Sequence, residues 1–369
     1  MPVKIVQFGD LHLDGSFAGL SPKNAAGQRA RARGLLFDAV ALAAAEKADI
    51  MVCTGDLFDT QTPYCETLDA AVLAFAEAGV PVFIAPGNHD WHDSKSPYVS
   101  AGWSENVRIF GGPPESVVLE NLGCRVTGYG YTSRDGGGRF LEGYRAQGDG
   151  LIDILVAHGE LTQGKSGQYG VVAHEDVIAA GFDYAAFGHI HSYSAQKLGR
   201  TLAVVNGGMC CRGFDEPGEK GAVVAIAEKG ASSAKLVPLK GSRLAEVVLR
   251  CEAGETAAAV IRRIRESVGL PPEHTFLKMV FEGENAPPVR EVEAGLSDFL
   301  AVRLEDATKR KLPAHFRAGE DSLAGLFAGG LLEKIEKADE GEKALLEAAL
   351  SFGLAAIDGR ETGTIQWNT

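Results

Sequence analysis

Along the first two thirds of the chain, short apolar runs alternate with longer stretches whose apolar positions recur at helical spacing. The runs "VKIVQF", "DIMVCT", "PVFIAP", "RVTGYG", "LIDILVAH", "DYAAFGH", "LAVVNG" and "AVVAIAE" predict strands. Residues 28–47 and 64–78, rich in Ala and Leu, predict helices. Several strands run directly into polar residues, which is the α/β arrangement with a site at the C-terminal ends of its strands. This alternation defines an α/β domain over residues 1–238.

The pattern changes after "KLVPLKGSR". "EVVLRC" (246–251) predicts a strand, 255–268 a helix, "FLKMVFEG" (276–283) another strand, and 289–311 a further helical stretch. Residues 246–312 therefore read as a small α+β unit behind a Pro/Gly/Lys linker. From Gly319 to Ile357 two charged, Leu/Ala-rich stretches form a helical tail broken at "KADEGEK", amphipathic in pattern. Leu323, Leu326, Phe327, Leu331 and Leu332, extended by Ile335, make one apolar stripe. Such a stripe is covered either by the chain itself or by a partner.

Composition narrows the class. The 369 residues exceed the usual size of one domain, and 45% hydrophobic with 23% charged residues is ordinary for a globular protein. No apolar run predicts a membrane span, and "MPVKIVQFGD" enters a strand without signal-peptide features, so the expectation is a soluble, cytoplasmic chain. The six cysteines show no C-x-x-C pair, which argues for reduced thiols and against a zinc–thiolate site, although Cys210 and Cys211 are adjacent. A net charge of −13 excludes holding nucleic acid by bulk positive charge alone. It leaves room for a nucleic-acid enzyme whose bound cations reverse the sign at a carboxylate-rich site.

Chemistry collects at five strand ends: Asp10 with His12, Asp56 with Asp59, Asn88 with His89 and Asp90, His158, and His189 with His191. Five of the nine histidines fall there. In D-x-H and H-x-H, positions i and i+2 of an extended segment face the same way. Nitrogen and carboxylate donors without thiolate suit Mn, Fe or Zn rather than a structural zinc knot. A carboxylate shared by two cations is the usual bridge of a two-metal site, and Asp56 is the candidate. Any one cluster alone is an ordinary turn; the five together, each at a strand end, point to a dinuclear metal site. No Ser/His/Asp or Cys/His arrangement suggests a covalent intermediate.

The order D-x-H, GD-x-x-D, GNHD, H-G, GH-x-H resembles the calcineurin-like metallophosphoesterases. "GDLHLDGSFAGL", "GDLFDT", "PVFIAPGNHD", "DYAAFGHIHS" and "RGFDEPGEKG" are similar to the DNA-repair exonuclease branch of the SbcD/YhaO type, with the likeness strongest over residues 1–228. The resemblance implies a β-sandwich flanked by helices. It also implies a capping, DNA-binding unit over 246–312 and docking of an SMC-like ATPase (SbcC/YhaN-like) on 319–357. One metal would be held by Asp10, His12, Asp56 and His191, and the second by Asp56, Asn88, His158 and His189, with Mn2+ the foremost choice. His89 corresponds to the catalytic histidine that is not a ligand, and Asp90 to the carboxylate that orients it. Asp59 stands where eukaryotic and archaeal members commonly carry His, and with Arg212 it is a candidate substrate contact.

The expected activity is Mn-dependent exonuclease and endonuclease hydrolysis of DNA in repair, with DNA and the ATPase as partners, a homodimer allowed and no membrane association. Two alternatives stay open. One is a phosphodiesterase acting on a small nucleotide; the other is a non-enzymatic scaffold, whose mark would be lost ligands. The arginine stretches at Arg29, Arg31 and Arg33, and at Arg262, Arg263 and Arg265, face either DNA or plain solvent, and Trp91 and His92 border either substrate or a plain loop.

Overall fold

Each run read as a strand forms one in the computed structural model, which describes residues 1–136, 138–164, 170–252, 254–284, 286–308 and 321–357. In chain order come β1 (Val3–Phe8), α1 (Pro22–Glu46), β2 (Ile50–Cys53), α2 (Cys65–Ala76), β3 (Val82–Ile84), α3 (Pro97–Ser100), β4 (Val107–Ile109), β5 (Glu115–Leu119) and β6 (Cys124–Tyr129). Then follow β7 (Ile152–His158), β8 (Glu160–Thr162), β9 (Val171–Ala173), α4 (His174–Ala180), β10 (Tyr184–Gly188), β11 (Ser194–Leu198), β12 (Thr201–Val205), β13 (Gly221–Ala227) and β14 (Ser233–Pro238). The last group is β15 (Arg243–Cys251), α5 (Ala257–Ser267), β16 (Thr275–Gly283), α6 (Val289–Ala294), β17 (Ala301–Asp306), α7 (Leu323–Lys337) and α8 (Glu340–Ile357).

Two six-stranded sheets carry the first part of the chain, in the orders β14-β13-β1-β2-β3-β4 and β11-β12-β10-β7-β6-β5. In the first, β1 to β4 are parallel, and β13 joins β1 antiparallel with Val223 opposite Gln7. In the second, β6, β7, β10 and β12 are parallel, with β5 and β11 antiparallel at the edges. One face of each sheet meets the other in a single apolar layer: Ile5, Val52 and Phe83 pack with Val126, Ile154, Val156 and Val204. The outer faces are covered by helices. Phe8 and Met51 pack against Leu36 and Ala39 of α1 and Phe75 of α2, while Leu155 and Phe187 pack with Val177 of α4. The result is an α/β sandwich flanked by helices, and burial on both faces is why its central strands read as unbroken apolar runs.

One polar residue crosses the apolar layer. Gln7 of β1 is fully buried; its amide donates to the carbonyls of Phe187 (3.2 Å) and Val204 (3.0 Å), and its oxygen accepts the Tyr184 hydroxyl. Every polar atom of that side chain is thus satisfied by the opposite sheet, as a dry interior requires.

The chain divides into two compact units, the first comprising Met1–Glu246, Gly269–Lys278 and Ser297–Arg303. The second comprises Val247–Val268, Met279–Leu296 and Leu304–Thr369. Strands β15, β16 and β17 form a three-stranded sheet, accompanied by α5 and α6. The helical stretch expected over 289–311 is corrected: α6 stops at Ala294, and Ala301–Asp306 is a strand. "AGLSD" interrupts the helical spacing, and the pairing of "AVRLED" with β16 overrides its helix-compatible composition. Residues 309–311 of that stretch lie outside the described residues, as do 309–312 of the expected unit and 319–320 of the expected tail.

The tail is a helical hairpin broken at Ala338 and Asp339. Ala328 and Ile335 are buried with Leu350 and Leu354, and Phe327, Leu331 and Leu332 pack on the same cluster. The expected single stripe therefore splits: Leu323 and Leu326 remain 72% and 71% exposed. No described helix is long and apolar enough to cross a membrane.

The inter-sheet tie yields a stability test. Tyr184→Phe deletes the hydroxyl and leaves the Gln7 oxygen buried without a donor, at a cost of about 1–3 kcal/mol. Urea unfolding should show a lower midpoint with an unchanged slope. An unchanged midpoint would mean that water reaches the Gln7 oxygen.

Candidate metal centre

Each candidate donor sits where a strand runs out. Asp10 and His12 follow β1, Asp56 follows β2, Asn88 follows β3, His158 closes β7, and His189 and His191 follow β10. Parallel strands bring these ends to one edge. The first sheet supplies Asp10, His12, Asp56 and Asn88, and the second supplies the other three imidazoles.

The turns that aim them are unusual. Asp10 (φ 49°), His12 (φ 44°), Asp56 (φ 47°) and His189 (φ 90°) all have left-handed backbone, which costs an L-residue about 1–2 kcal/mol. Backbone bonds hold it in place: Asp10 N–H donates to Gly55 O (3.0 Å), His12 N–H to Asp56 O (2.9 Å) and Leu13 N–H to Leu57 O (2.9 Å). The glycine of G-N-H-D has a steric reason, since a Cβ on Gly87 would stand 2.2 Å from Asp56 Oδ1. Asp14, unassigned from sequence, fastens the same loop to α2 by accepting from Tyr64 N–H (2.8 Å) and the Thr67 hydroxyl (2.7 Å).

The donor atoms converge. Asp10, His12 and His191 each place a donor within 4.8 Å of the others, as do Asp10, Asp56 and His158, and also His12, Asp56 and His89. His12 Nε2 is 3.2 Å from His191 Nε2 and 3.6 Å from Asp56 Oδ2, which is itself 3.5 Å from His158 Nε2. Asn88 Oδ1 lies 2.9 Å from His158 Nε2 and 3.1 Å from His189 Nδ1. Asp56 stands between the His12 side and the His158 side of the pocket.

Three imidazoles are oriented through their far nitrogen. His158 Nδ1–H points at Thr54 O (2.9 Å), His12 Nδ1–H at Asp59 Oδ1 (2.9 Å) and His191 Nδ1–H at Glu216 Oε1 (2.7 Å). A proton on each Nδ1 leaves the Nε2 lone pair for the pocket. Asp10 is fixed by His189 N–H (2.8 Å) and by the Asn206 amide (3.0 Å). Glu216 and Asn206 were missed by the sequence reasoning. The stretch "RGFDEPGEKG" contains Glu216, but nothing in its spacing separates it from its acidic neighbours.

His89 differs in exposure and partner. Its side chain is 36% exposed and its Nδ1 lies 3.3 Å from Asp59 Oδ1. The assignment of Asp90 as its orienting carboxylate is corrected. Asp90 is fully buried and accepts from Gly87 N–H (2.8 Å), Phe58 N–H (3.0 Å) and the Tyr98 hydroxyl (2.5 Å). Consecutive side chains diverge, so Asp90 folds back into the loops while Asp59 reaches His89. Arg212 stands beside the same carboxylate, its guanidinium 3.5 Å from Asp59 Oδ1. His92 packs on Gly111 and His274 on Arg31, away from the donor set, and His315 lies outside the described residues.

Electrostatics follow from burial. Burial, with the neighbouring Asp90 charge, pushes Asp56 up to about 7. Burial likewise raises Asp10, against the pull of His158 and His191. It lowers His12 and His158, and takes His189 to about 4. The Asp59 hydrogen bond raises His89, against burial. Burial opposes the ionisation of Asp59, but its bonds from His12 and His89 prevail and hold it below the usual carboxylate range. A pocket of desolvated carboxylates and neutral imidazole nitrogens is the donor chemistry that divalent cations satisfy. The residues present fit such ions.

An α/β sandwich with a buried carboxylate–imidazole pocket at its strand ends is the build of a metallophosphoesterase. The chain belongs to the calcineurin-like phosphoesterase family, whose model matches residues 3–193. It is 25% identical over 364 residues to the uncharacterized metallophosphoesterase YhaO of Bacillus subtilis strain 168, covering 90% of this chain and 87% of that one. Among solved structures it is similar to the protein TT1561 of Thermus thermophilus (12% identity, 64% of this chain and 99% of that one, TM-score 0.41). It is also similar to a dimetal phosphatase of Danio rerio (11% identity, 64% and 99%, TM-score 0.41). The family places the chain among metal-dependent phosphoester hydrolases with dinuclear divalent centres.

The Asp90 correction is testable without substrate. Asp90→Asn turns an amide N–H toward one of three donors, so chelator-treated protein should lose about 1–3 kcal/mol of stability. Full stability with impaired turnover would return Asp90 to a role at His89.

Proposed function

We propose that the protein is a Mn2+-dependent DNA nuclease that hydrolyses phosphodiester bonds with two metal ions. One ion would be held by Asp10, His12, Asp56 and His191, and the other by Asp56, Asn88, His158 and His189. The observation that carries this reading is the convergence of those seven side chains, five buried and His189 and His191 half-buried, with Asp56 Oδ2 within 3.6 Å of His12 Nε2 and 3.5 Å of His158 Nε2. Bound there, divalent cations supply Lewis acidity toward the phosphodiester and the attacking water. Asp10 and Asp56 offset the cation charge, while the neutral oxygen of Asn88 keeps the pocket from excess negative charge. Thr54, Asp59 and Glu216 keep Nδ1 of His158, His12 and His191 protonated, so that each Nε2 stays a donor. His89, charged beside Asp59, holds a proton at Nε2 and gives it to the departing oxygen. Arg212 lies one carboxylate away and offers a guanidinium to the phosphate.

Support for DNA as substrate comes from outside the metal pocket. Arg29, Arg33 and the exposed Tyr64 line an open cavity of about 640 Å³ between α1 and α2, which Asp14 joins to the metal loop. Guanidinium groups for phosphate beside an aromatic face for a base suit single-stranded nucleic acid. Arg33 is shared there with Glu66 (3.2 Å) and Asp14 (3.8 Å), so Arg29 carries most of this support; elsewhere Arg31 is engaged with His274, Arg263 with Glu255 and Arg265 with the Gly295 carbonyl. The net charge of −13 favours the second reading, a phosphodiesterase for a small nucleotide. For the partner we propose an SMC-like ATPase seated on Leu323, Leu326 and Leu345, the exposed apolar residues of the α7–α8 hairpin.

Protein stripped of metal and titrated with Mn2+ should bind two ions per chain and then hydrolyse bis-p-nitrophenyl phosphate and DNA. Diesterase activity with no cleavage of single- or double-stranded DNA would transfer the proposal to the small-nucleotide reading. His89→Gln should lower kcat by about 100-fold or more with two ions still bound, as expected for loss of a positioned acid. A variant that binds one ion fewer would make His89 a ligand instead.

A further inference from the structure

The segment between β12 and β13 carries a buried charge that the chemistry above leaves unused. Lys220 is 1% exposed. Its ammonium donates to the carbonyls of His191 and Gly207, the latter at 3.1 Å, and lies 4.0 Å from Glu216 Oε2. Glu216 accepts His191 Nδ1–H through one oxygen (2.7 Å) and Arg212 N–H through the other (2.9 Å). An ammonium withdrawn from water costs several kcal/mol unless it is paired and hydrogen-bonded. Methionine would fill the same volume without that cost, so packing does not account for a lysine here.

Its two acceptors and the Glu216 carboxylate do account for it. They lie on the loop after β10, the loop after β12, and the turn that leads into β13. Lys220 is itself held firmly, because the next residue opens β13 and donates from Gly221 N–H to Gly208 O (3.2 Å). That strand pairs with β1, which runs into Asp10. The ammonium thus references the His191 loop to the strand that delivers the opposing carboxylate.

We propose that Lys220 and Glu216 are a positioning pair for the metal centre. Lys220 fixes the backbone of His191, and Glu216 fixes its tautomer, so that Nε2 faces Asp10 and His12. Through its second oxygen Glu216 also seats Arg212, whose guanidinium abuts the Asp59 that His12 and His89 share. The pair therefore acts on one metal position directly and on His89 only through Asp59. This inference rests on the two-metal reading above.

Calorimetric Mn2+ titration of the full chain tests it, with melting of chelator-treated protein as the control. In Glu216→Gln the amide must face either Nδ1–H or Arg212 N–H, both donors. One of the two Mn2+ equivalents should weaken about 10–100-fold while the other holds. Lys220→Met should weaken the same equivalent, and the double variant should lose less than the two single losses combined, as coupled neighbours do. Wild-type isotherms for Glu216→Gln, or equal weakening of both equivalents, would overturn the proposal. So would Lys220→Met that melts earlier yet binds as wild type, which would make the lysine purely structural. Should Lys220→Met fail to fold, the Glu216→Gln isotherm decides alone. Wild-type protein that binds fewer than two ions overturns the two-metal reading and this inference together; wild-type-like variants beside a two-ion parent overturn this inference alone.

Discussion

Asp10 and Asp56 are 1% and 2% exposed, and withdrawal from water makes both harder to ionise, with the Asp56 charge adding to the effect on Asp10. Much of the surrounding structure answers that desolvation. Carboxylates withdrawn from water need countercharge, and the neutral imidazoles beside them present lone pairs instead, so the pocket leaves that charge to divalent cations. Neutral imidazoles work as donors only in one tautomer. An outer ring of acceptors follows: a main-chain carbonyl at Thr54, and carboxylates at Asp59 and Glu216. Those acceptors in turn fix which loops touch. Left-handed backbone at Asp10, His12 and Asp56 is tolerated because the loops after β1 and β2 are laced by main-chain bonds, and at His189 its N–H is held by Asp10.

The interior of the sandwich was legible in the sequence because its central strands are buried on both faces. The edges were not. β5 and β14 only alternate half-buried and exposed positions over short spans, and β11 is mostly polar, so neither a strong periodicity nor apolar content marks them. The strand at Ala301–Asp306 was read as helix because "AVRLED" suits either state, and its pairing partner lies some twenty residues earlier in the chain. The hairpin helices were visible from their spacing, but which apolar residues face inward depends on α8 packing, which a stripe on α7 alone does not encode.

At the pocket, the donors stood out because Asp, His and Asn directly after apolar runs are chemically conspicuous. Their orienting partners were harder to see. Thr54 contributes a carbonyl, which leaves no trace in residue identity. Glu216 follows its imidazole by 25 residues, in a turn full of other charges. Asp90 was misread because it adjoins His89 in sequence, whereas the carboxylate that reaches His89 is thirty residues away, in the loop after β2. Adjacency along an irregular turn says little about which side chains meet.

The donors come from two different sheets, and a cation shared between them would work as a fastener across the sandwich. Its grip would depend on how closely the sheets stack, and that spacing is set by Ile5, Val52, Ile154 and Val156 in the dry layer beneath. Methyl groups that touch no donor would therefore contribute to ion affinity, since a sheet displaced by a fraction of an ångström carries its imidazoles with it. In this architecture the hydrophobic core is part of the coordination chemistry.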